Sequence, residues 1–205
     1  MKTSMPVEIY TDGSCLRNPG PGGLAYIIRF YEEPANDLDA PTPQVTEHNQ
    51  GFRLSTNNRM EIMAAIYGLT ELISKINDHS FEGVGQINLY TDSEYLANAI
   101  NQGWLNRWMQ NNWMTSGFRG SSPKPVKNKD LWEKVTDLQD QLKRLAVNFT
   151  IHHVKGHNGD EFNEKADRLA VAASNGTNHI IDEVYEKVWN EVIACPMRSS
   201  LNSPF

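Results

Sequence analysis

The repeat of the hydrophobic pattern changes once, near residue 57, and that change constrains the fold more than any other feature. Before it, apolar residues follow the two-residue alternation of strands. Val7 and Ile9 face one way and Glu8 and Tyr10 the other in a strand over Val7–Asp12. Leu24–Tyr31 reads as a second strand and Val45–Leu54 as a third, with dense turn chemistry at Asn18-Pro19-Gly20-Pro21-Gly22-Gly23 between the first two. Short to medium links among three consecutive strands predict an antiparallel meander. After the change, Ile62, Ile66, Leu69, Ile73 and Ile76 form the apolar stripe of a helix, with Asn57 or Asn58 placed to cap its start. Gln86–Thr91 then reads as a buried strand, Ser93–Asn101 and Gly103–Trp113 as helices, and Ser116–Pro125 as a loop. Lys129–Leu145 is a helix with Leu131, Val135, Leu138 and Leu142 on one stripe, and Val147–Val154 a strand. Asp160–Ser174 is a helix buried through Phe162, Ala166, Leu169 and Ala173, and Ile180–Ile193 is a last helix. This order predicts an α/β domain: a mixed sheet with helices on both faces.

The 205 residues suffice for one sizeable core. No apolar run is long enough to span a membrane, and the first six residues have no hydrophobic segment of the secretory kind. Two cysteines, Cys15 and Cys195, lack ligand-like spacing, and a cytoplasmic protein with free thiols is expected. The net charge of −6 disfavours nucleic-acid binding only until its distribution is read. Residues 32–47 hold five acids and no base, and residues 179–205 hold four acids against two bases. With that loop and tail set aside, the chain is close to neutral. Residues 104–129 carry Arg107, Arg119, Lys124, Lys127 and Lys129 with no acid. Such a segment is a solvated surface or a face suited to a phosphate backbone.

Four carboxylates stand out by position. Asp12 ends the first strand in Tyr10-Thr11-Asp12-Gly13, and Asp92 ends the fourth in Tyr90-Thr91-Asp92-Ser93. If these strands are parallel neighbours, both acids project from adjacent carboxyl ends, the edge where open α/β sheets build sites. Glu61 sits one turn into the first helix beside its apolar stripe, and Asp167 borders the stripe of the helix after the last strand. Each has a bland reading. Asp12 fits a turn before Gly13, Asp92 fits a helix cap, and Glu61 and Asp167 fit exposed helix charges. His157, in Val154-Lys155-Gly156-His157-Asn158-Gly159, is a surface histidine or a proton carrier near neutral pH. Spacing alone does not decide. If the acids converge, they need cations, and hard oxygen ligands suit Mg²⁺ or Mn²⁺. A pair of such ions can clamp both oxygens of a phosphodiester displacement.

The blocks Tyr10-Thr11-Asp12-Gly13-Ser14-Cys15, Asn18–Gly23, Thr56-Asn57-Asn58-Arg59-Met60-Glu61, Thr91-Asp92-Ser93 and Val154-Lys155-Gly156-His157, with Asp167 ten residues beyond, resemble in order those of bacterial type 1 ribonucleases H. The similarity covers roughly residues 6–174. It implies a ribonuclease H-like five-stranded mixed sheet and hydrolysis of the RNA strand of RNA/DNA hybrids, leaving a 3′-hydroxyl and a 5′-phosphate. It also implies a metal site of Asp12, Glu61, Asp92 and Asp167 for two Mg²⁺ ions, with Mn²⁺ as the other candidate. Asp12 would bridge both ions, Glu61 and Asp92 would hold the one near the nucleophilic water, and Asp167 the other. His157 would assist product release or proton movement. Asn18, Asn57 and Asn58 would read ribose hydroxyls with Glu61 alongside, Thr56 and Asn128 would grip a phosphate of the DNA strand, and Tyr95 and Trp104 would line the DNA groove. Core packing is the rival reading for Tyr95.

The resemblance divides the chain into a ribonuclease H domain at 1–177, with the acidic insertion at 32–47 and a basic protrusion at 103–129, and an extension at 178–205. That extension is expected to be a helix docked through Ile180, Val184, Val188 and Ile193. With the first strand beginning by Val7, no hybrid-binding module is expected before it. A monomer is expected. Two departures from the family pattern and one packing expectation stand out. Where the family often has Arg two residues before Thr56, this chain has Leu54, with Arg53 one place earlier, so the phosphate pocket lacks an assigned third member. Trp104 and Trp108 lie a helical turn apart, so one of them is expected to pack inward. Met109-Gln110-Asn111-Asn112 replaces the usual cations of the protrusion, which predicts weaker hybrid binding and a shallower dependence on salt than in more basic relatives. Rival functions are a silent hybrid-binding protein, a resolvase- or integrase-type nuclease, and a plain acidic metal-binding protein. The acidic quartet, the Thr-Asn-Asn block with the protrusion, and Trp104 with Asn128 respectively argue against them.

Overall fold

A computed structural model describes residues 6–31, 42–116, 122–156 and 158–194. Strands β1 (Pro6–Cys15), β2 (Gly20–Tyr31) and β3 (Pro43–Ser55) form the expected antiparallel meander, followed by helix α1 (Asn57–Asn77). Next come β4 (Gln86–Thr91), α2 (Glu94–Asn101), α3 (Trp104–Gln110), α4 (Lys129–Arg144), β5 (Asn148–His153) and α5 (Glu161–Asn175). A short β6 (His179–Ile180) and helix α6 (Glu183–Ala194) complete the described chain. The strand order is β5-β4-β1-β2-β3-β6, with β4 parallel to both β1 and β5. The sheet thus has six strands where five were expected. The two residues of β6 extend it through parallel pairing with Gly51 and Phe52, too short a segment to show a period.

Helices cover both faces. Val7, Ile9, Leu24, Tyr26 and Ile28 point toward α1 in the main core, where Ile62, Ile66, Leu69 and Ile73 of the expected stripe are buried. Helix α4 packs on α1 through Leu131, Val135, Leu138 and Leu142, with Trp132 fully buried beside them. On the other face, Tyr10 and Ile27 meet Ala166 of α5 in a smaller cluster.

Three local expectations are corrected. The glycines after Pro19 lie in β2, not in a turn. A Cβ on Gly23 would sit 2.2 Å from the Ala170 carbonyl oxygen, so the glycine permits α5 to lie directly on the strand. For the same reason the buried face of α5 is Asn163, Ala166, Ala170 and Ser174, while Phe162, Leu169 and Ala173 are only partly covered. The start of α1 is capped neither by Asn57 nor by Asn58. Thr56 occupies the N-cap position, and the Asn57 N–H donates to Oδ1 of Asn18 at 3.2 Å.

The extension also packs differently from expectation. Ile180, Val184 and Ile193 are 41%, 48% and 61% exposed and only Val188 is half-buried, so the expected aliphatic stripe does not seat it. Tyr185 is fully buried instead, Asp182 bonds Arg59, and Glu186 bonds Arg53. No described helix is long and apolar enough to cross a membrane. Among the described residues the cysteine Cys15 is free. Most of the acidic insertion (residues 32–41), Arg119 of the protrusion, and His157 lie outside the described residues.

Candidate active site at the carboxyl ends of two parallel strands

Thr11 of β1 pairs in register with Thr91 of β4, so Asp12 and Asp92 leave adjacent strand ends side by side. The condition set by the sequence is met: the strands are parallel neighbours. Asp92 is not the cap of α2, because the Ser93 hydroxyl accepts the Leu96 N–H in that role. Glu61 arrives from α1. A Cβ on Gly13 would lie 2.2 Å from the Glu61 nitrogen, so a side chain there would push α1 away from the end of β1. Oxygens of Asp12, Glu61 and Asp92 lie within 4.8 Å of one another. Asp167 does not join that set. It stands half-buried on α5, close enough that its charge helps raise the pKa of Asp12.

Asp12 and Glu61 are each only 5% exposed. Burial first, then the charges of Asp92 and Asp167, push Asp12 from 3.8 up to about 8. Burial and the charges of Asp12 and Asp92 raise Glu61 well above the ordinary carboxylate range, against hydrogen bonds from the Gly13 backbone and Asn57. Oε1 of Glu61 accepts from Asn57 Nδ2 at 3.5 Å, whereas Oε2 is buried with no hydrogen-bond partner. Buried like charges with an orphaned oxygen fit a divalent cation as the missing partner. The residues present therefore suit Mg²⁺ or Mn²⁺.

Two further groups of residues lie outside this cluster. Near the start of α1 a cleft of about 330 Å³ is lined by Asn18, Pro19, Thr56, Asn58, Lys127, Asn128, Tyr185 and Trp189. It brings together Asn18, Thr56, Asn58 and Asn128, which sequence reasoning had chosen. Asn128 is held in the left-handed region (φ 58°) and accepts from the Arg59 guanidinium at 3.5 Å. Arg53 does not enter the cleft: it pairs with Glu186 at 2.6 Å. Lys127 supplies a cation at the cleft instead. Sequence reasoning counted Lys127 only within a basic stretch and missed Tyr185 and Trp189, which lie in the tail beyond every motif.

The second group is aromatic. Tyr95, Trp104, Trp108 and Trp132 form a connected cluster with ring centroids 5.4 to 6.4 Å apart. The Tyr95 hydroxyl accepts the Trp132 Nε1–H at 3.2 Å and donates to the Lys127 carbonyl at 3.5 Å. Neither Trp104 nor Trp108 turns fully inward. Leu105 is the buried residue of α3, and both tryptophans stay half-covered against the core.

This fold with this acidic cluster at adjacent parallel strand ends defines a class of nucleases. The RNase H family model matches residues 4–175. The chain is similar to the Ribonuclease H of Rippkaea orientalis, 44% identical over 88% of this chain and 92% of that protein. It is similar also to the Ribonuclease HI of Synechocystis sp., 36% identical over 90% of this chain and 98% of that one. Among solved structures, LC9-RNase H1, described as a type 1 RNase H with the type 2 active-site motif, aligns over 96% of this chain and 86% of its own with a TM-score of 0.60 at 25% identity. The chain belongs to the RNase H family and is an enzyme of that family.

Proposed function

We propose that the protein hydrolyses the RNA strand of RNA/DNA hybrids by two-metal-ion catalysis, acting as a cytoplasmic monomer and leaving 3′-hydroxyl and 5′-phosphate ends. The observation that carries this reading is the buried set of Asp12, Glu61 and Asp92 oxygens within 4.8 Å, with Asp167 at its border. These four would hold the ions. Bound Mg²⁺ or Mn²⁺ would neutralise charge on the attacking and leaving oxygens. The chain's own contribution is to pre-form the site. Gly13 lets α1 approach, Asn57 steadies Glu61, and the two strand ends fix Asp12 and Asp92. His157 would move a proton or help release product. Asn18, Asn57 and Asn58, gathered around the first turn of α1, would read ribose 2′-hydroxyls, the group that separates RNA from DNA. Thr56 and Asn128 would hold a phosphate of the opposite strand, and Tyr95 and Trp104 would line the path of its sugars.

The test is cleavage of a labelled hybrid, duplex DNA and duplex RNA with Mg²⁺, by the unaltered chain and by Asp12→Asn. Hybrid alone should be cut, at the RNA strand, and Asp12→Asn should bind hybrid without turnover. Equal cutting of duplex DNA, or undiminished turnover by Asp12→Asn, would refute the reading.

A further inference from the structure

The cleft beside α1 has two walls of different origin. Its polar wall, with Asn18, Thr56, Asn58 and Asn128, lies within residues 4–175, the part of the chain matched by the family. Its aromatic wall, Tyr185 and Trp189, comes from α6, outside that match. We propose that Trp189 is a substrate-contacting residue: its ring closes the outer side of this cleft and packs against the sugar beside the phosphate seated there. The proposal rests on the hybrid-cleaving reading above and adds to it a contact that the matched region does not contain.

Three observations support it. First, the lining suits a sugar–phosphate unit. Thr56 and three asparagine amides offer hydrogen bonds, Lys127 offers positive charge, and a flat ring offers an apolar surface for the sugar. Second, the ring is held in place before any ligand arrives. Trp189 stacks on Tyr185 with centroids 6.1 Å apart and planes 14° from parallel. Tyr185 in turn is fully buried, 5.4 Å beneath the Arg59 guanidinium. The same guanidinium bonds Asn128, so one cation aligns both walls. Asp182 fixes the start of α6 by bonding Arg59 and by accepting the Tyr185 N–H at 3.1 Å. Third, among the described residues the ring contact of Trp189 is with Tyr185. Trp189 is half-exposed and belongs to neither hydrophobic cluster, and the aliphatic residues Val184 and Ile193 of the same helix face solvent.

The experiment uses the full chain with Trp189→Ala, Trp189→Phe and Trp189→Leu. It reads kcat and KM on an RNA/DNA hybrid, together with melting midpoints. It also uses a panel of hybrids carrying one neutral methylphosphonate at a time along each strand. Trp189→Ala should raise KM by about tenfold, on the scale of a lost aromatic contact to nucleic acid, and leave kcat nearly unchanged. Trp189→Phe should restore most of the loss, and Trp189→Leu should not, although leucine still covers Tyr185. In the panel, Trp189→Ala should be less sensitive than the unaltered chain at the single linkage seated in the cleft and match it at all others. Unchanged KM with an unchanged panel, or full rescue by leucine, would overturn the proposal while leaving the nuclease reading intact. Absence of hybrid cleavage by the unaltered chain would overturn both.

Discussion

Two buried clusters of charge lie about the first two turns of α1, built on opposite plans. Glu61 points into a cluster of one sign, with Asp12 and Asp92, and the pKa values of Asp12 and Glu61 are driven upward. Arg59, two residues earlier, is 1% exposed and lies between Asp182 and Asp130, bonded to both. Burial alone would lower its pKa, but hydrogen bonds and charge from Asp130 and Asp182 raise it. The balanced cluster joins α1, α4 and the segment leading into α6, so it serves the architecture. The unbalanced one is left short of positive charge that a ligand must bring. Burial and acidity alone do not separate the two. Compensation does.

The largest effect that would test this contrast is on turnover. Asp12→Asn should reduce hybrid cleavage to the limit of detection in a gel assay while leaving the melting midpoint unchanged or raised, because the amide removes a repelling charge. A clear loss of stability would mean that the acidic cluster is structural too.

Removing the central cation of the balanced cluster should do the reverse. Arg59→Ala leaves Asp182 buried without its partner and should cost about 3–5 kcal/mol in urea unfolding. A loss well under this would show that the cluster is not what fastens α6.

The acidic cluster should make the metal-free protein sensitive to pH. Asp12 has its ordinary pKa of 3.8 when unfolded and about 8 when folded, so the native state holds more protons between those values. Its contribution to stability is present below pH 3.8 and is lost as pH rises toward 8. Melting in EDTA should therefore show a downward slope across that window. Mg²⁺ should flatten it, adding about 1.4 kcal/mol at ten times its Kd. Asp12→Asn should make the slope shallower and weaken the Mg²⁺ response, leaving the part that Glu61 contributes, and an EDTA profile of the unaltered chain that is level or rises with pH would contradict the assignment.

The smallest effect should come from Asp130→Asn. Its side chain is 27% exposed against 5% for Asp182, so water replaces part of what is lost. A cost of about 1–2 kcal/mol is expected, below that of Asp182→Asn measured in the same urea series. Equal costs would mean that exposure does not rank the two partners.

Much of this was legible because its signals are local. The alternation of Val7–Tyr10, the stripe of Ile62 to Ile73 and that of Leu131 to Leu142 each report a period that the chain obeys. Asp12 and Asp92 could be paired because two strand ends repeat one phrase. The misreadings have a common cause. The face of α5 was misjudged because the glycine in β2 lets it sit close, so small residues rather than Phe162 and Leu169 meet the sheet. The docking of α6 was misjudged because ion pairs and one tyrosine carry it, and these leave no apolar repeat. Arg59 sat in a recognised block without any local sign that two distant carboxylates would enclose it.

The amino-acid order by itself determined the succession of strands and helices and the placing of Asp12, Glu61 and Asp92 where a sheet edge and a helix start can meet. Backbone period and turn chemistry act over a few residues, so they are readable there. Only the tertiary structure decided which buried charges are neutralised, that Asp167 borders the three-acid set, and that Trp189 closes a cleft begun by Asn18. Desolvation and ion pairing depend on neighbours more than a hundred positions away, as with Arg59 and Asp182, and no stretch of sequence displays such neighbours to one another.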